Sequence, residues 1–314
     1  MAGAGGPGRF GPAEVALLVV VSVVWGAAFV FIRQGIVLGA SPLAFAAVRY
    51  ALSAVAFVAL AAGRREPFPT RRTLLLSAGI GGTLIIGLYG GFLYWGEQFT
   101  TGGYAAVVAS TVPLLTVAFG FSLLAAERLG PRGLVGMVVG FAGAAVIVLP
   151  QLEGSSLGSW QGPVFLLGAM VSTALGTVLL RRAAVGRQGL WQIGAQFAVA
   201  GTLLGVATLA LPISKSLPLT TGVLGALAFL VGLSSLVGYF AYFALHHRVG
   251  PVRANLVTYL APLVGVAIGS GAFGEPVTAG EVLGVGIVLA GVGLVLWDSA
   301  RRQAASDRRG PTVV

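Results

Sequence analysis

"AAERLGPRGLVGMVVGFAGAAVIV" (Ala125–Val148) and "GEPVTAGEVLGVGIVLAGVGLVL" (Gly274–Leu296) are two writings of one pattern. In each, a glutamate is followed nine residues later by one glycine and sixteen later by another: Glu127, Gly136, Gly143 and Glu275, Gly284, Gly291. The glutamates are 148 residues apart. The echo continues outward. "AAVVASTVPLL" (Ala105–Leu115) aligns with "ANLVTYLAPLV" (Ala254–Val264) at an offset of 149, which sets Pro113 on Pro262. "WGAAFVFIR" (Trp25–Arg33) falls on "ALGTVLLRR" (Ala174–Arg182) at the same offset. Letter identity is low, but constant spacing across several landmarks points to an internal duplication.

The composition says which solvent the duplicated unit meets. Of 314 residues, 57% are hydrophobic and 9% charged, against roughly 25% charged in soluble domains. So few charges cannot cover a water-soluble surface, and the mean hydropathy of +0.95 agrees. Ten apolar segments of the length needed to cross a bilayer run at about 14–32, 42–62, 74–96, 103–125, 132–149, 161–181, 190–211, 220–245, 252–273 and 279–297. They are too long for barrel strands, and backbone groups in lipid must be satisfied within the segment. The expected fold class is therefore all-α integral membrane. The Gly/Pro-rich start leads directly into the first segment, which reads as a retained helix rather than a cleaved signal.

Charge placement orients the chain. With the amino terminus in the cytoplasm, 16 of the 19 basic residues fall at cytoplasmic ends, Arg33 and Lys215 fall outside, and Arg49 lies within a span. The positive-inside rule thus predicts ten spans with both termini cytoplasmic. The net charge of +10 is a topological signal spread over many loops, so no nucleic-acid partner is expected. Five spans per unit is an odd number, so the second unit enters the membrane from the opposite side. Inverted repeats of this kind occur in secondary transporters, where two similar halves alternate access to a site between them. The expected division is a tail at 1–13, a first repeat at 14–149, an external linker at 150–160, a second repeat at 161–297 and a cytoplasmic tail at 298–314.

Several classes fall away. There is no cysteine and only two histidines, His246 and His247. That removes thiolate metal sites and disulfides, and no metal or cofactor is expected. No Ser/His/Asp spacing, H-E-x-x-H or Walker lysine is present, so the chain does not read as an enzyme.

Candidate site residues follow from chemistry within the spans. Arg49 is the only charge well inside a span, and a buried charge in lipid marks a partner or a pathway. Trp25, Tyr89, Tyr94, Tyr239, Tyr242 and Tyr259 combine an apolar ring with a polar handle, as ligand cavities require. Asn255, Ser172 and Thr173 add polar groups, and Gln196 is a further candidate. Glu97, at the outer end of the third span, is a candidate partner for Arg49 or a proton-coupling carboxylate. His246 occupies the corresponding position in the second half and is a candidate gate. Pro113 and Pro262 are candidate hinges, since proline deletes a helix hydrogen bond. Gly136, Gly140, Gly143, Gly284 and Gly291 are expected to form a packing seam between the fifth and tenth spans, or between two copies in a homodimer. Glu127 and Glu275 are expected to tie tight turns at the membrane surface through hydrogen bonds to nearby backbone or arginine.

These residues carry a resemblance. "WGAAF", "SPLAFAAVRY" and "STVPLLTVAFGFSLLAAERLGPRGLVGMVVGFAGAAVIV", with "TYLAPLVGVAIGSGAFGEPVTAGEVLGVGIVLAGVGLVL" in the second half, resemble the EamA-type transporters of the drug/metabolite transporter superfamily. The resemblance covers about 14–297. It implies ten helices, a central cavity lined mostly by spans 1, 3, 4, 6, 8 and 9, a bacterial plasma-membrane location and export of a small-molecule substrate. Amino acids or similar metabolites suit a cavity whose one charge is Arg49. The alternatives are a sugar-conjugate, phosphate-ester or drug carrier of the same fold, or a non-transporting scaffold. Related small multidrug exporters carry a mid-membrane glutamate in the first span, whereas this span has only Glu14 at its start, against a cationic-drug substrate.

Overall fold

The computed structural model describes residues 11–123, 130–152, 160–183, 188–249 and 257–307. Every regular element among these residues is helical. In chain order the helices are α1 (Pro12–Val37), α2 (Pro42–Gly63), α3 (Arg71–Gly96), α4 (Gly102–Leu123), α5 (Pro131–Leu152), α6 (Gln161–Arg182), α7 (Leu190–Ala210), α8 (Thr221–Leu245), α9 (Val257–Phe273) and α10 (Ala279–Asp307). Seven of them, α1–α4 and α6–α8, are long and apolar enough to cross a membrane, while α5, α9 and α10 hold shorter apolar stretches.

The helix starts use ordinary local chemistry. Pro12 and Pro42 sit in the first turns of α1 and α2, where proline's missing N–H costs nothing. Thr70, Thr101 and Thr220 accept hydrogen bonds from the amides of Thr73, Tyr104 and Val223 at the starts of α3, α4 and α8. Large apolar side chains stay on the outside: Val55, Val138 and Leu209 are 68%, 68% and 72% exposed. Such faces suit lipid, where helix association comes from close packing rather than from hiding apolar surface.

Glycine sets the closest approaches. α5 packs along α10, and a Cβ at Gly136 would lie 2.6 Å from the Gly291 carbonyl oxygen, while one at Gly143 would lie 2.7 Å from the Val288 amide. α1 crosses α9 at Gly26, where a Cβ would come within 2.4 Å of the Ala261 carbonyl. α2 packs on α7, with Gly201 against the backbone at Ala47 and Ala51.

Two irregularities occur at matching places. α3 widens to π-helix over Ser77–Leu88, and α8 does the same over Phe229–Val237. α4 is interrupted at Ser110 and Thr111, immediately before Val112 and Pro113, and both hydroxyls bond back to backbone carbonyls. α9 carries Pro262 inside a continuous helix.

Acidic side chains and loop backbone tie helix ends across the two halves. The Glu66 carboxylate, after α2, accepts from the Leu190 amide at the start of α7 at 3.0 and 3.1 Å. Conversely, the Ser216 carbonyl, after α7, accepts from the Ser41 amide at the start of α2 at 2.7 Å. The Glu275 carboxylate, after α9, accepts from the Gly102 and Gly103 amides at the start of α4 at 3.0 and 2.8 Å. Asp298, on α10, accepts from Gly130 just before α5 at 2.7 Å. Each carboxylate sits where a helix presents unpaired N–H groups and partial positive charge. The expectation that Glu275 ties a turn through nearby backbone is thus corrected: it caps a helix of the other half. Glu127 lies outside the described residues.

Candidate functional site: a central cavity with one buried cation

A cavity of about 290 Å³ opens between the halves. Its wall draws on α1, α3, α4, α6, α8 and α9, and also on α2 and α7, through Arg49, Tyr50 and Phe197. The lining is mainly apolar and aromatic, the composition of small-molecule sites. The π-helical stretches bring Ile85, Ile86 and Ser234 to the wall, and widened helix turns recur at functional sites.

Arg49 is the chemical centre. Its side chain is buried, and the guanidinium donates to the Tyr94 hydroxyl at 3.0 Å and to the Ser234 hydroxyl at 3.1 Å. One partner belongs to α3 of the first half, the other to α8 of the second. The Nε–H is buried without a hydrogen-bond partner, and Arg49 lines the cavity. Glu97, expected as a partner for Arg49, does not pair with it: both its carboxylate oxygens are buried and accept no hydrogen bond. Nor is Glu97 a solvated surface carboxylate, since its exposure is 0%.

The aromatic residues form a continuous wall beside the arginine. Trp25 donates from Nε1 to the Ser234 carbonyl at 3.2 Å and stands against Tyr239 and Tyr242, with ring centroids 5.9 and 5.1 Å away. Phe197 joins Tyr50, Phe57 and Tyr239 at 5.7, 5.5 and 5.6 Å. Edge and offset contacts at these distances are the favourable ones for aromatic pairs.

Of the residues expected at a site, Trp25, Arg49, Tyr89, Thr173, Tyr239 and Pro262 line the cavity. Tyr94 stands behind the wall, fully buried, holding Arg49. Tyr242 reinforces Trp25 from behind. Ser172 donates to the Leu84 carbonyl at 2.8 Å, pinning α6 to α3 rather than facing the cavity. Gln196 is engaged by Ser77 and Gln188. Val112, beside Pro113, is the α4 residue at the break that reaches the wall. Asn255 lies outside the described residues, as do the side chains of Tyr259 and His246. Tyr50, Phe197 and Ser234 escaped the sequence reading. Tyr50 adjoins Arg49 and could have been flagged by that alone. Ser234 could have been found as a hydroxyl in an apolar run at the depth of Arg49.

Comparison with known proteins follows the same lines. The EamA-like transporter family model matches residues 13–149 and 160–297. The chain is 30% identical over 275 residues to the uncharacterized inner membrane transporter YedA of Escherichia coli (strain K12), covering 87% of each protein. It is 29% identical over 289 residues to a probable amino-acid metabolite efflux pump of Salmonella typhimurium, covering 88% of this chain and 92% of that one. A solved crystal structure superposes with a TM-score of 0.60 at 19% identity, over 90% of this chain and 97% of that chain, which supports the fold. A helical, lipid-suited chain with a cavity between two similar halves, matched by the same family model twice along its length, is a multi-pass bacterial inner-membrane transporter, and it belongs to the EamA-like transporter family.

Proposed function

We propose that this transporter exports amino acids or closely similar small zwitterionic metabolites by alternating access. The reading includes ten spans arranged as two inverted five-helix repeats with both termini in the cytoplasm. Three features support that arrangement: the constant offset in sequence, the matching π-helical stretches in α3 and α8, and the reciprocal ties between α2 and α7 ends.

The observation that carries the substrate reading is Arg49. A guanidinium offers five N–H donors, and here two neutral hydroxyls take part while the Nε–H stays unmet in an aromatic cavity. A buried cation without a counter-ion is costly, and a substrate carboxylate supplies the missing charge and acceptors together. The aromatic wall accommodates an apolar side chain. A single cation suits a carboxylate better than a sugar phosphate, whose greater charge calls for more basic groups. The name of the Salmonella relative points the same way.

Counterflow in proteoliposomes tests the reading. Vesicles loaded with unlabelled amino acids are expected to exchange labelled ones, while the decarboxylated amines do not compete. Arg49→Gln should lower exchange at least about tenfold, as loss of a charge-assisted pair implies. Equal exchange of amines and amino acids, or full activity in Arg49→Gln, would rule out recognition through the carboxylate.

A further inference from the structure

Beside the cavity lies a second unusual group. Glu97 follows Gly96, the last residue of α3, and so stands just beyond that span. It is fully buried, and neither carboxylate oxygen accepts a hydrogen bond. Most other acidic side chains among the described residues secure helix ends. Glu66, Glu275 and Asp298 cap helices, and Glu14 bonds the Gly11 amide and Arg248. A carboxylate that caps a helix is useful as an anion. One sealed among packed helices with no donor is not.

The surroundings sharpen the contrast. From α1, Arg33 reaches the same turn but donates to the backbone carbonyls of Glu97 and Gln98, at 2.7 and 3.1 Å, rather than to the carboxylate. From the turn after α9, Glu275 brings a second carboxylate, whose oxygens accept from the Gly102 and Gly103 amides. Among the described residues, Arg49 on α2 is the remaining charge acting on the site, and its two terminal nitrogens are engaged by Tyr94 and Ser234. Burial, with Glu275 next, holds the Glu97 carboxyl well above the usual carboxylate range, against the pull of Arg33 and Arg49. The turn joining α3 to α4, the Arg33 bonds and the Glu275 clasp meet at one end of the bundle and close Glu97 off from solvent, at the end that the arginine distribution is expected to make external.

We infer that Glu97 is a proton-binding site that governs this end of the transporter: the closed arrangement holds Glu97 as the neutral acid, and opening to the outside releases its proton to water. This rests on the alternating-access reading and adds to it the ion to which the conformational change responds.

The sign follows from which state binds the proton. In the closed state the ionised form of Glu97 is disfavoured by burial and by the neighbouring Glu275 anion. In an open state water solvates it and its affinity for the proton falls. The closed state therefore binds more protons, and acid on the external side favours closure.

The natural absence of cysteine makes the test clean. A single cysteine replaces Gln98, which lies in the same turn and is partly buried, and its labelling by a membrane-impermeant maleimide is followed in right-side-out vesicles. Rates are normalised to a cysteine at exposed Lys215, which removes the intrinsic pH dependence of the thiol. Between about pH 8 and about pH 5.5 outside, the normalised rate should fall by at least about threefold. Glu97→Gln, isosteric and permanently neutral, should label slowly at every pH, and Glu97→Asp should keep the pH response. An unchanged pH response in Glu97→Gln, a flat response in the parent or a faster rate in acid would each overturn the inference. If transported amino acids alter the labelling while pH does not, the transport reading survives and the proton site falls.

Discussion

At Arg49 the sequence and the structure meet halfway. A lone arginine inside an apolar run is visible in the letters, because charge is so costly in lipid that its position must have a purpose. Its partners are not visible, because hydrogen bonding is decided by distances between residues 45 and 185 positions apart. Glu97, at the end of a neighbouring span, is the counter-charge the letters suggest, yet two hydroxyls hold the guanidinium instead. Tyr94→Phe should therefore loosen Arg49 without touching the cavity lining, raising KM for exchange several-fold more than it lowers the maximal rate. Unchanged exchange kinetics in that variant would show that Ser234 alone positions the arginine. Glu275 is read differently once the fold is known. Its tie spans 172 and 173 positions to Gly103 and Gly102, and no local pattern predicts that reach. Glu275→Ala removes two charge-assisted bonds at a helix start and should cost roughly 1–2 kcal/mol, seen as a lower midpoint in thermal unfolding in detergent.

Among the elements, α5 and α10 were the most legible. Their glycine spacing survives in both halves, and small residues are what helix pairing in lipid needs. Geometry then separates glycines that look alike. A Cβ at Gly291 would sit 2.4 Å from the Gly140 amide nitrogen, whereas one at Gly293 would meet nothing within 4 Å. Gly291→Ala should destabilise by about 1–3 kcal/mol through overpacking, while Gly293→Ala should be neutral or slightly stabilising, since alanine is the better helix former. Thermal midpoints of the two variants, measured side by side, check the difference; equal midpoints would dissolve the seam. The π-helical stretches in α3 and α8 were not legible at all. Apolar residues on every side leave the hydrophobic pattern without phase, so a change from 3.6 residues per turn leaves no trace in it. The break in α4 lies at Ser110 and Thr111, ahead of Pro113, while Pro262 is carried within α9 without one, a difference that neither flanking sequence declares.

For the molecule as a whole, the duplication could be read because spacing persists after letters diverge, and the same family model matches both halves; the opposite insertion of the two halves rests on the odd number of expected spans per unit. What could not be read is how the halves join. Each half supplies acids or loop carbonyls that close helix ends of the other, and Arg49 reaches from α2 to hydroxyls of both halves at the cavity wall. A movement of one half against the other, as the proposed alternating access requires, would have to exchange these contacts. Thr173 lines the cavity, and a cysteine placed there in the naturally cysteine-free chain puts the question directly. With a membrane-impermeant thiol reagent added to right-side-out and to inside-out vesicles, labelling is expected from both sides, slowed on both by an amino acid that undergoes counterflow. Labelling confined to one side under every substrate and pH condition would rule out alternating access through this cavity.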